Sequence, residues 1–219
     1  MEISIVTPAL RNDVFLVEAI QSVYDQRDDK YCINHIVVFD DESVELPNNI
    51  SNLYYNLTYI KCAGYKNGPS FARNSALLNI SSGLVYFLDS DDLWPPNYIK
   101  KTHLLYRNKD VVAVSTKGYK FVDGGPTDVL SQIYVKDGPI NNYVAWNVIG
   151  CPSGFSFNLD SVSEKILFDE ELFFFEDWIF YLKLMHLNQR KVLLRTNEVF
   201  FFYRLNSLQA TNKVNIMLL

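Results

Sequence analysis

Cysteine and histidine are both scarce in this chain of 219 residues, which has three of each. The cysteines (Cys32, Cys62 and Cys151) lack the paired spacing of a zinc site. Their odd number does not suit a disulfide framework. It fits a protein of a reducing compartment better. Positive charge is also limited, since 25 acidic residues outnumber 20 Lys and Arg and give a net charge of -5. We therefore expect no nucleic-acid binding by phosphate neutralisation.

Long apolar runs are missing as well. No 18 consecutive residues are apolar, so the sequence predicts no membrane-spanning helix. The opening residues Met1 to Val6 include an acid and too few consecutive apolar residues for a signal peptide. We expect a cytoplasmic protein, and peripheral attachment to the inner face of the cell membrane stays open. Hydrophobic residues still make up 48% of the chain, which is enough for a large core.

Apolar runs typical of strands alternate with stripes typical of helices. Strands are predicted at 3–7, 36–39, 59–62, 84–88, 111–115, 192–194 and 199–203. Helices are predicted after Asp13, at 68–78, at 95–106 and at 140–149. The β-α-β order of the first half predicts an α/β fold with a mostly parallel central sheet flanked by helices. In such sheets ligands bind beyond the carboxyl ends of the strands.

One predicted strand ends in a cluster of acids. The apolar run that closes at Leu88 is followed at once by Asp89, Ser90, Asp91 and Asp92. Three carboxylates in four positions repel one another beside a dry core. A hard divalent cation with oxygen ligands would neutralise them. The structural alternative is a simple turn in which Asp92 caps the next helix.

Polar residues recur at the ends of other predicted strands. Thr7 closes the first strand, and Asp40 with Asp41 closes the second. Because the carboxyl ends of parallel strands meet at one edge of a sheet, these residues should converge with Asp89 and Asp91. Turn formation alone does not explain such a convergence. The sequence therefore predicts a nucleotide site at this edge.

A second acidic pair, Glu176 and Asp177, follows the three phenylalanines at 173–175. Apolar residues spaced over 179–185 predict a helix directly after the pair. Two interpretations stay open. The acids could simply begin the helix, where its dipole favours negative charge. Alternatively, desolvation could raise the pKa of one carboxylate and make it a better general base.

Five motifs in this order resemble the family 2 glycosyltransferases with the GT-A fold, an inverting group that builds bacterial surface polysaccharides. The motifs are Ile3–Pro8, Val38–Ser43, Gly68–Asn74, Leu88–Asp92 and Phe175–Trp178. One departure is Glu42, where the family usually has a small residue. The resemblance implies a single GT-A domain over 1–219, with the donor half at about 1–116 and the acceptor half at about 117–219.

The resemblance also implies roles for individual residues. Contacts to the donor nucleotide are implied for Thr7, Pro8, Asp40, Asp41, Arg73, Asp89 and Ser90. Asp91, with Asp89 and Asp92, would hold Mn²⁺ or Mg²⁺, which acts as a Lewis acid on the leaving diphosphate. Asp177 would be the general base for the acceptor hydroxyl, with Glu176 positioned beside it.

Further residues in the second half are candidates for binding. By analogy with the family, the segment 151–154 is expected near the acceptor. Arg204, Asn206 and Ser207 are candidates for binding phosphate. Trp178 or Tyr203 would suit stacking against a sugar.

The implied reaction is inverting transfer of a sugar from a nucleotide-diphosphate donor, with UDP-sugars favoured. Its acceptor would be a saccharide or lipid-linked hydroxyl in the synthesis of a surface polysaccharide such as lipopolysaccharide or capsule. A sugar-nucleotidyltransferase is one alternative, but that class has a glycine-rich loop after the first strand, and residues 7–13 contain no glycine. A non-catalytic nucleotide- or carbohydrate-binding protein is the other, and the intact Asp91 and Asp177 argue against it.

Overall fold

The structure is a computed structural model that describes residues 2–10, 13–39, 44, 56–61, 68–122, 131–133, 138–139, 150–172 and 174–205. The strands in these ranges are β1 (Glu2–Ala9), β2 (Cys32–Phe39), β3 (Leu57–Lys61), β4 (Leu84–Phe87), β5 (Val111–Phe121), β6 (Ser131–Ile133), β7 (Gly138–Pro139), β8 (Phe155–Asn158) and β9 (Val192–Arg204). The helices are α1 (Val14–Tyr24), α2 (Pro69–Leu77), α3 (Tyr98–Leu105) and α4 (Glu176–Leu187). None of these described helices is both long and apolar enough to cross a membrane.

All nine described strands belong to one sheet, in the order β3-β2-β1-β4-β8-β5-β9-β7, with β6 pairing to β5. Strands β3, β2, β1 and β4 are parallel to one another. Strand β8 then runs antiparallel between β4 and β5, while β5 and β9 are parallel. The predicted α/β fold with a central sheet flanked by helices is confirmed. Its parallel character holds for the first four strands, and the sheet as a whole is mixed.

The helix starts follow their sequence signals. Asp13 caps α1, since its carboxylate accepts from the amides of Phe15 and Leu16, both at 3.1 Å. Helix α2 begins at Pro69, after Gly68 in a conformation with φ of 104°. Both starts agree with the predictions, whereas α3 begins at Tyr98, three residues later than expected.

The central strand β4 is buried on both faces and positions everything that follows it. Phe87 packs on one side among the rings of Phe157, Phe168 and Phe180. On the other side Tyr86 contacts Trp94 edge to face. The chain after β4 therefore leaves the sheet between two apolar layers. This packing fixes where the segment after Phe87 begins.

The two halves predicted from the sequence share this sheet. Strand β5 crosses the expected boundary near residue 116, and β8 inserts beside β4. The two late strands predicted from the sequence form one continuous strand, β9, whose pairing with β5 shifts after Thr116. The helix predicted at 140–149 lies outside the described residues.

Candidate active site

The acidic residues Asp89 to Asp92 form a tight turn directly beyond β4. Leu88 donates its amide to the carbonyl of Val6 at 3.0 Å, which extends the β1–β4 pairing to the edge of the turn. The amide of Asp92 donates back to the carbonyl of Asp89 at 3.1 Å and closes the turn. The Asp89 side chain is 26% exposed, whereas Asp92 is fully buried. We call this segment, residues 89–92, the acidic turn.

A short 3₁₀ turn at Pro152–Gly154 supports the acidic turn from the second half of the chain. Ser153 is fully buried, and its hydroxyl accepts the amide of Asp89 at 3.0 Å. The carbonyl of Ser153 accepts the indole N–H of Trp94 at 2.8 Å. A Cβ at Gly154 would lie 2.6 Å from the ring of Phe201, so only glycine allows this close packing.

Arg204, at the end of β9, holds the opposite side of the acidic turn. Its amide donates to the Asp92 carboxylate at 3.0 Å, and its Nε donates to the carbonyl of Asp91 at 2.8 Å. The guanidinium also pairs with Glu18 of α1. It lies over two aromatic rings, those of Phe15 at 4.5 Å and Phe121 at 4.6 Å. Arg204 therefore supports the turn, and its predicted phosphate role finds no support in this buried position.

Arg73 of α2 joins the acidic turn to helix α4. Its Nη2 donates to Asp89 at 2.6 Å and its Nη1 to Glu176 at 3.4 Å, while its side chain is only 3% exposed. Burial alone would lower the pKa of the guanidinium, but Asp89 and Glu176 outweigh it and raise that pKa above its ordinary value. Arg73 therefore stays charged and connects carboxylates from both halves.

Asp177, the second residue of α4, lies in the same electrostatic environment. Its carboxylate accepts the amide of Trp178 at 2.6 Å. Burial raises the pKa of Asp177 to about 6, and the neighbouring Glu176 adds to the rise, while Arg73 opposes it. An aspartate of this kind is a stronger base than an exposed one and is still mostly ionised at neutral pH.

Two neutral side chains complete the surroundings. Burial raises the pKa of the Cys151 thiol well above its usual range, and the charges of Asp92 and Asp89 raise it further, so this thiol is not a nucleophile. Tyr181 is fully buried, and its hydroxyl has no hydrogen-bond partner among the described residues. Sequence reasoning missed Tyr181, although its position four residues after Asp177 places both on one helix face.

Some predicted donor residues lie elsewhere. Thr7 is fully buried, and its hydroxyl shares a 2.9 Å hydrogen bond with His35. Because β1 continues to Ala9, Thr7 does not end the strand, and its side chain serves the core and not the crevice. Burial lowers the pKa of His35 to about 3, so that its ring is neutral. Pro8 is only partly buried.

The remaining donor predictions have mixed outcomes. Ser90 lies in the acidic turn and is partly buried. Arg73 is buried between carboxylates, and its predicted contact to the donor nucleotide stays a prediction. Asp40 and Asp41 lie outside the described residues, as do Asn206 and Ser207.

The predicted metal-binding carboxylates Asp89, Asp91 and Asp92 all lie in the acidic turn, and their role stays a prediction. Within the described ranges, no three His, Cys, Asp or Glu side chains are arranged to hold a metal ion. Asp89 is paired with Arg73, and burial raises the pKa of Asp92 well above its ordinary value, with Asp91 and Asp89 adding to the rise. The ion pair between Arg73 and Asp89 thus relieves part of the repulsion among these carboxylates.

The residues still fit a cation that is coordinated mainly by the phosphates of a bound substrate. One oxygen of Asp92 is buried without a hydrogen-bond partner in the described structure, and Asp91 is partly exposed beside it. Mg²⁺ in particular is commonly bound by one or two carboxylates together with substrate phosphates. Asp91 is the side chain best placed to be such a ligand.

The parallel strands thus end in the acidic turn, and Arg73 links that turn to the carboxylate pair at the start of α4. The chain belongs to glycosyl transferase family 2, whose sequence profile matches residues 4–167, more than half of its length.

Similar proteins include GgaA of Bacillus subtilis (strain 168), a minor teichoic acid biosynthesis protein. It is 28% identical over 214 residues, which cover 92% of this chain and 46% of GgaA. The chain thus spans about half the length of that relative.

Solved structures share the fold. S. aureus TarS 1–349 in complex with UDP-GlcNAc superposes with a TM-score of 0.75 at 18% identity, covering 99% of this chain and 62% of that one. The mannosyltransferase PcManGT from Pyrobaculum calidifontis, in complex with GDP-Man and Mn²⁺, gives 0.64 at 16% identity, covering 92% and 56%. These similarities confirm the predicted GT-A fold.

Proposed function

We propose that this chain is an inverting glycosyltransferase, or the catalytic part of one, that acts in cell-wall polysaccharide synthesis on the cytoplasmic side of the membrane. The observation that carries the proposal is the bridge made by Arg73 between Asp89 and Glu176. This bridge links the turn that would bind the donor to the helix that would face the acceptor. Family membership and the similarity to GgaA support the proposed reaction and pathway class.

On the donor side, the acidic turn would bind the ribose and diphosphate of a nucleotide-sugar. UDP-sugars are favoured because TarS, which shares the fold, was solved with UDP-GlcNAc. Asp89 keeps part of its carboxylate exposed while Arg73 and Ser153 fix its position. Asp91 would hold Mn²⁺ or Mg²⁺, and such a cation, when bound, neutralises charge on the leaving diphosphate.

On the acceptor side, Asp177 would take the proton of the acceptor hydroxyl as the oxygen attacks the anomeric carbon. The new C–O bond forms on the face opposite the leaving diphosphate, whose bond to the sugar breaks in the same step. This single displacement inverts the configuration. A base with a pKa of about 6 is ready for this task at neutral pH. Glu176, held by Arg73, would position the acceptor.

The proposed acceptor is a saccharide or lipid-linked hydroxyl of a cell-wall polymer. The name of GgaA supports a polymer of the teichoic acid type. A nucleotidyltransferase is disfavoured by the family match. A non-catalytic binding protein would not need the raised pKa of Asp177.

The proposal is tested by ligand binding and transfer measured together. Purified protein is heated with UDP-sugars or GDP-mannose, each with and without Mn²⁺ or Mg²⁺, because a ligand of the native state raises the melting temperature. We expect stabilisation by a UDP-sugar that requires the metal, and transfer to a wall-polymer acceptor. Asp91→Asn should remove the metal-dependent part of the stabilisation. If the turn is only structural, the variant should match the wild type, since Asn caps nearly as well as Asp. Absence of both stabilisation and transfer would overturn the proposal.

A further inference from the structure

Two aromatic side chains are exposed directly before the Glu176–Asp177 pair. Phe174 is 48% exposed and Phe175 is 64% exposed, the highest value among the large apolar side chains of the described residues. Single exposed apolar residues are common on protein surfaces, whereas neighbouring ones beside a functional site indicate binding. We call Phe174, Phe175 and Trp178 the aromatic rim.

The backbone of Phe175 is in an unfavourable conformation. Its φ of 62° and ψ of 16° lie in the left-handed region, which is sterically unfavourable for a bulky residue. Among the described residues, the other non-glycine positions with positive φ are Asn56 and Asn97, and asparagine tolerates this region. Folding stability alone would favour Gly or Asn at position 175. Strained positions of this kind cluster at functional sites, which points to a binding role for the exposed phenylalanine ring.

The ring of Phe175 is also held in one orientation. It stands edge to face against Trp178, with centroids 6.1 Å apart and an interplanar angle of 72°. Trp178 is partly buried in α4 and moves with that helix. The Phe175 ring is open to solvent and directly precedes the Glu176–Asp177 pair in the chain.

We propose that the aromatic rim is the subsite for a sugar ring of the acceptor, with Phe175 stacking on the apolar face of a pyranose. The inference rests on the proposed function, because the hydroxyl that gives its proton to Asp177 must lie within hydrogen-bond reach of that residue. An acceptor hydroxyl within reach of Asp177 also lies near the start of α4, directly after Phe174 and Phe175 in the chain.

The chemistry of the rim selects among acceptors. A pyranose has a flat C–H face for the rings and hydroxyls for Glu176 and Asp177. A lipid chain would cover the carboxylates with hydrocarbon and leave them without hydrogen-bond partners, which is costly. An open-chain polyol phosphate lacks the flat apolar face and would bring negative charge close to both acids. The site therefore favours an acceptor whose reacting end is a cyclic sugar.

The test separates the ring from the backbone strain. Phe175→Gly removes the ring and relieves the left-handed conformation, so the variant should be at least as stable as the wild type. We expect the KM for a pyranoside acceptor to rise about 5- to 10-fold, the effect of losing one aromatic contact, with the donor KM unchanged. Phe175→Tyr should keep the wild-type acceptor KM. Asn97→Gly, which relieves the same conformation at the start of α3, should change neither KM.

Several results would overturn the inference. One is an unchanged acceptor KM in Phe175→Gly, and another is an equal rise in the donor KM. A third is a loss seen only for acceptors that carry a lipid tail, or wild-type preference for a polyol phosphate over a pyranoside. Calorimetric titration of the pyranoside into the wild type and Phe175→Gly gives the same comparison without turnover. Failure of the proposed function looks different, since the wild type would then neither bind nor use nucleotide-sugars.

Discussion

The two groups of carboxylates in this molecule are built in opposite ways. The acidic turn is held on three sides, by Ser153 from a 3₁₀ turn, by Arg204 from β9 and by Arg73 from α2. The pair at the start of α4 is linked to that framework by the 3.4 Å contact from Arg73 to Glu176. It follows two exposed rings and a strained backbone. One group is fixed by buried polar contacts. The other, which we call the corner, is partly buried and directly follows two exposed aromatic rings.

This difference matches the demands of the two substrates. Charge develops on a leaving diphosphate in the transition state, and groups that stabilise it act best when they are already in place. An acceptor polymer approaches from solvent and must leave again after transfer. A site beside the exposed side chains of Phe174 and Phe175 suits such a partner. The comparison predicts that changes at the corner alter turnover and acceptor use, while changes at the turn alter donor binding.

The largest effect is expected for Asp177→Asn. The variant keeps the shape and the contact to the Trp178 amide but cannot accept a proton, and loss of a general base typically costs ~10²–10⁴ in rate. The loss should appear in kcat and not in the donor dissociation constant, because the base acts only on the attacking hydroxyl. Transfer rate and donor binding are measured for the same protein preparation.

Glu176→Gln is the matched control for that experiment. It removes the adjacent charge and leaves Asp177 intact, so its effect on kcat should be much smaller. Near-normal turnover in Asp177→Asn, with a large loss in Glu176→Gln, would transfer the base role to Glu176. That outcome would leave the comparison between turn and corner intact.

The pH dependence of turnover gives the next largest effect. Because the pKa of Asp177 is raised to about 6, the fraction of ionised base falls below that pH. We expect kcat to drop about tenfold per pH unit on the acid side and to level off toward pH 8. A rate that stays flat down to about pH 5 would exclude Asp177 as the titrating base.

The same pKa predicts a stability change with a definite sign. The pKa of Asp177 is higher in the folded state than in the unfolded chain, so its ionised form destabilises the fold. The penalty is absent below about pH 4, grows as pH rises toward 6 and is complete above that. Asp177→Asn should therefore gain stability over the wild type at about pH 8, on the order of 2 kcal/mol, and gain little at about pH 4. Urea unfolding at the two pH values measures it.

Local sequence patterns predicted the position of the acidic turn. The apolar run up to Leu88 and the acids after it fixed the position of the acidic turn, because parallel strands present their carboxyl ends at one edge. The partners of the turn could not be read in this way. Arg204 lies 112 residues from Asp92, and Arg73 lies 103 residues from Glu176. No periodicity or spacing encodes such distant contacts.

Other errors came from patterns that are ambiguous in principle. Thr7 was placed at the end of a strand, but β1 runs on through Pro8 to Ala9. When both faces of a strand are buried, alternation does not reveal which face a side chain occupies. Phe175 gave no signal of its left-handed backbone, since that region is expected of Gly or Asn.

A moderate effect is expected for Arg204→Lys. Lysine keeps the charge but loses the Nε contact to the Asp91 carbonyl and the stacking on Phe15 and Phe121. We expect a loss of about 2 kcal/mol in unfolding free energy and weaker donor binding, with kcat at saturating donor changed less. Chemical denaturation and donor titration report the two effects.

Glu18→Gln is the control for Arg204→Lys. Glu18 is 46% exposed, so its pair with Arg204 contributes little, about 0–1 kcal/mol. The control should leave donor affinity near that of the wild type. If both variants weaken donor binding equally, the surface charge and not the support of the turn determines affinity.

The smallest effect is expected for Ser153→Ala, and this variant tests the comparison most directly. The substitution removes the hydroxyl that accepts the Asp89 amide and should cost about 0.5–1.5 kcal/mol in stability. Ser156→Ala is the matched control, because Ser156 is also buried and bonds the Tyr106 hydroxyl at 2.7 Å, away from the turn. Both variants should lose similar stability in denaturant titrations. Only Ser153→Ala should raise the donor dissociation constant, by a few-fold, with the acceptor KM unchanged. Equal donor affinity in the two variants would mean that the turn keeps its shape without Ser153, and that its fixed geometry depends on Arg73 and Arg204 alone.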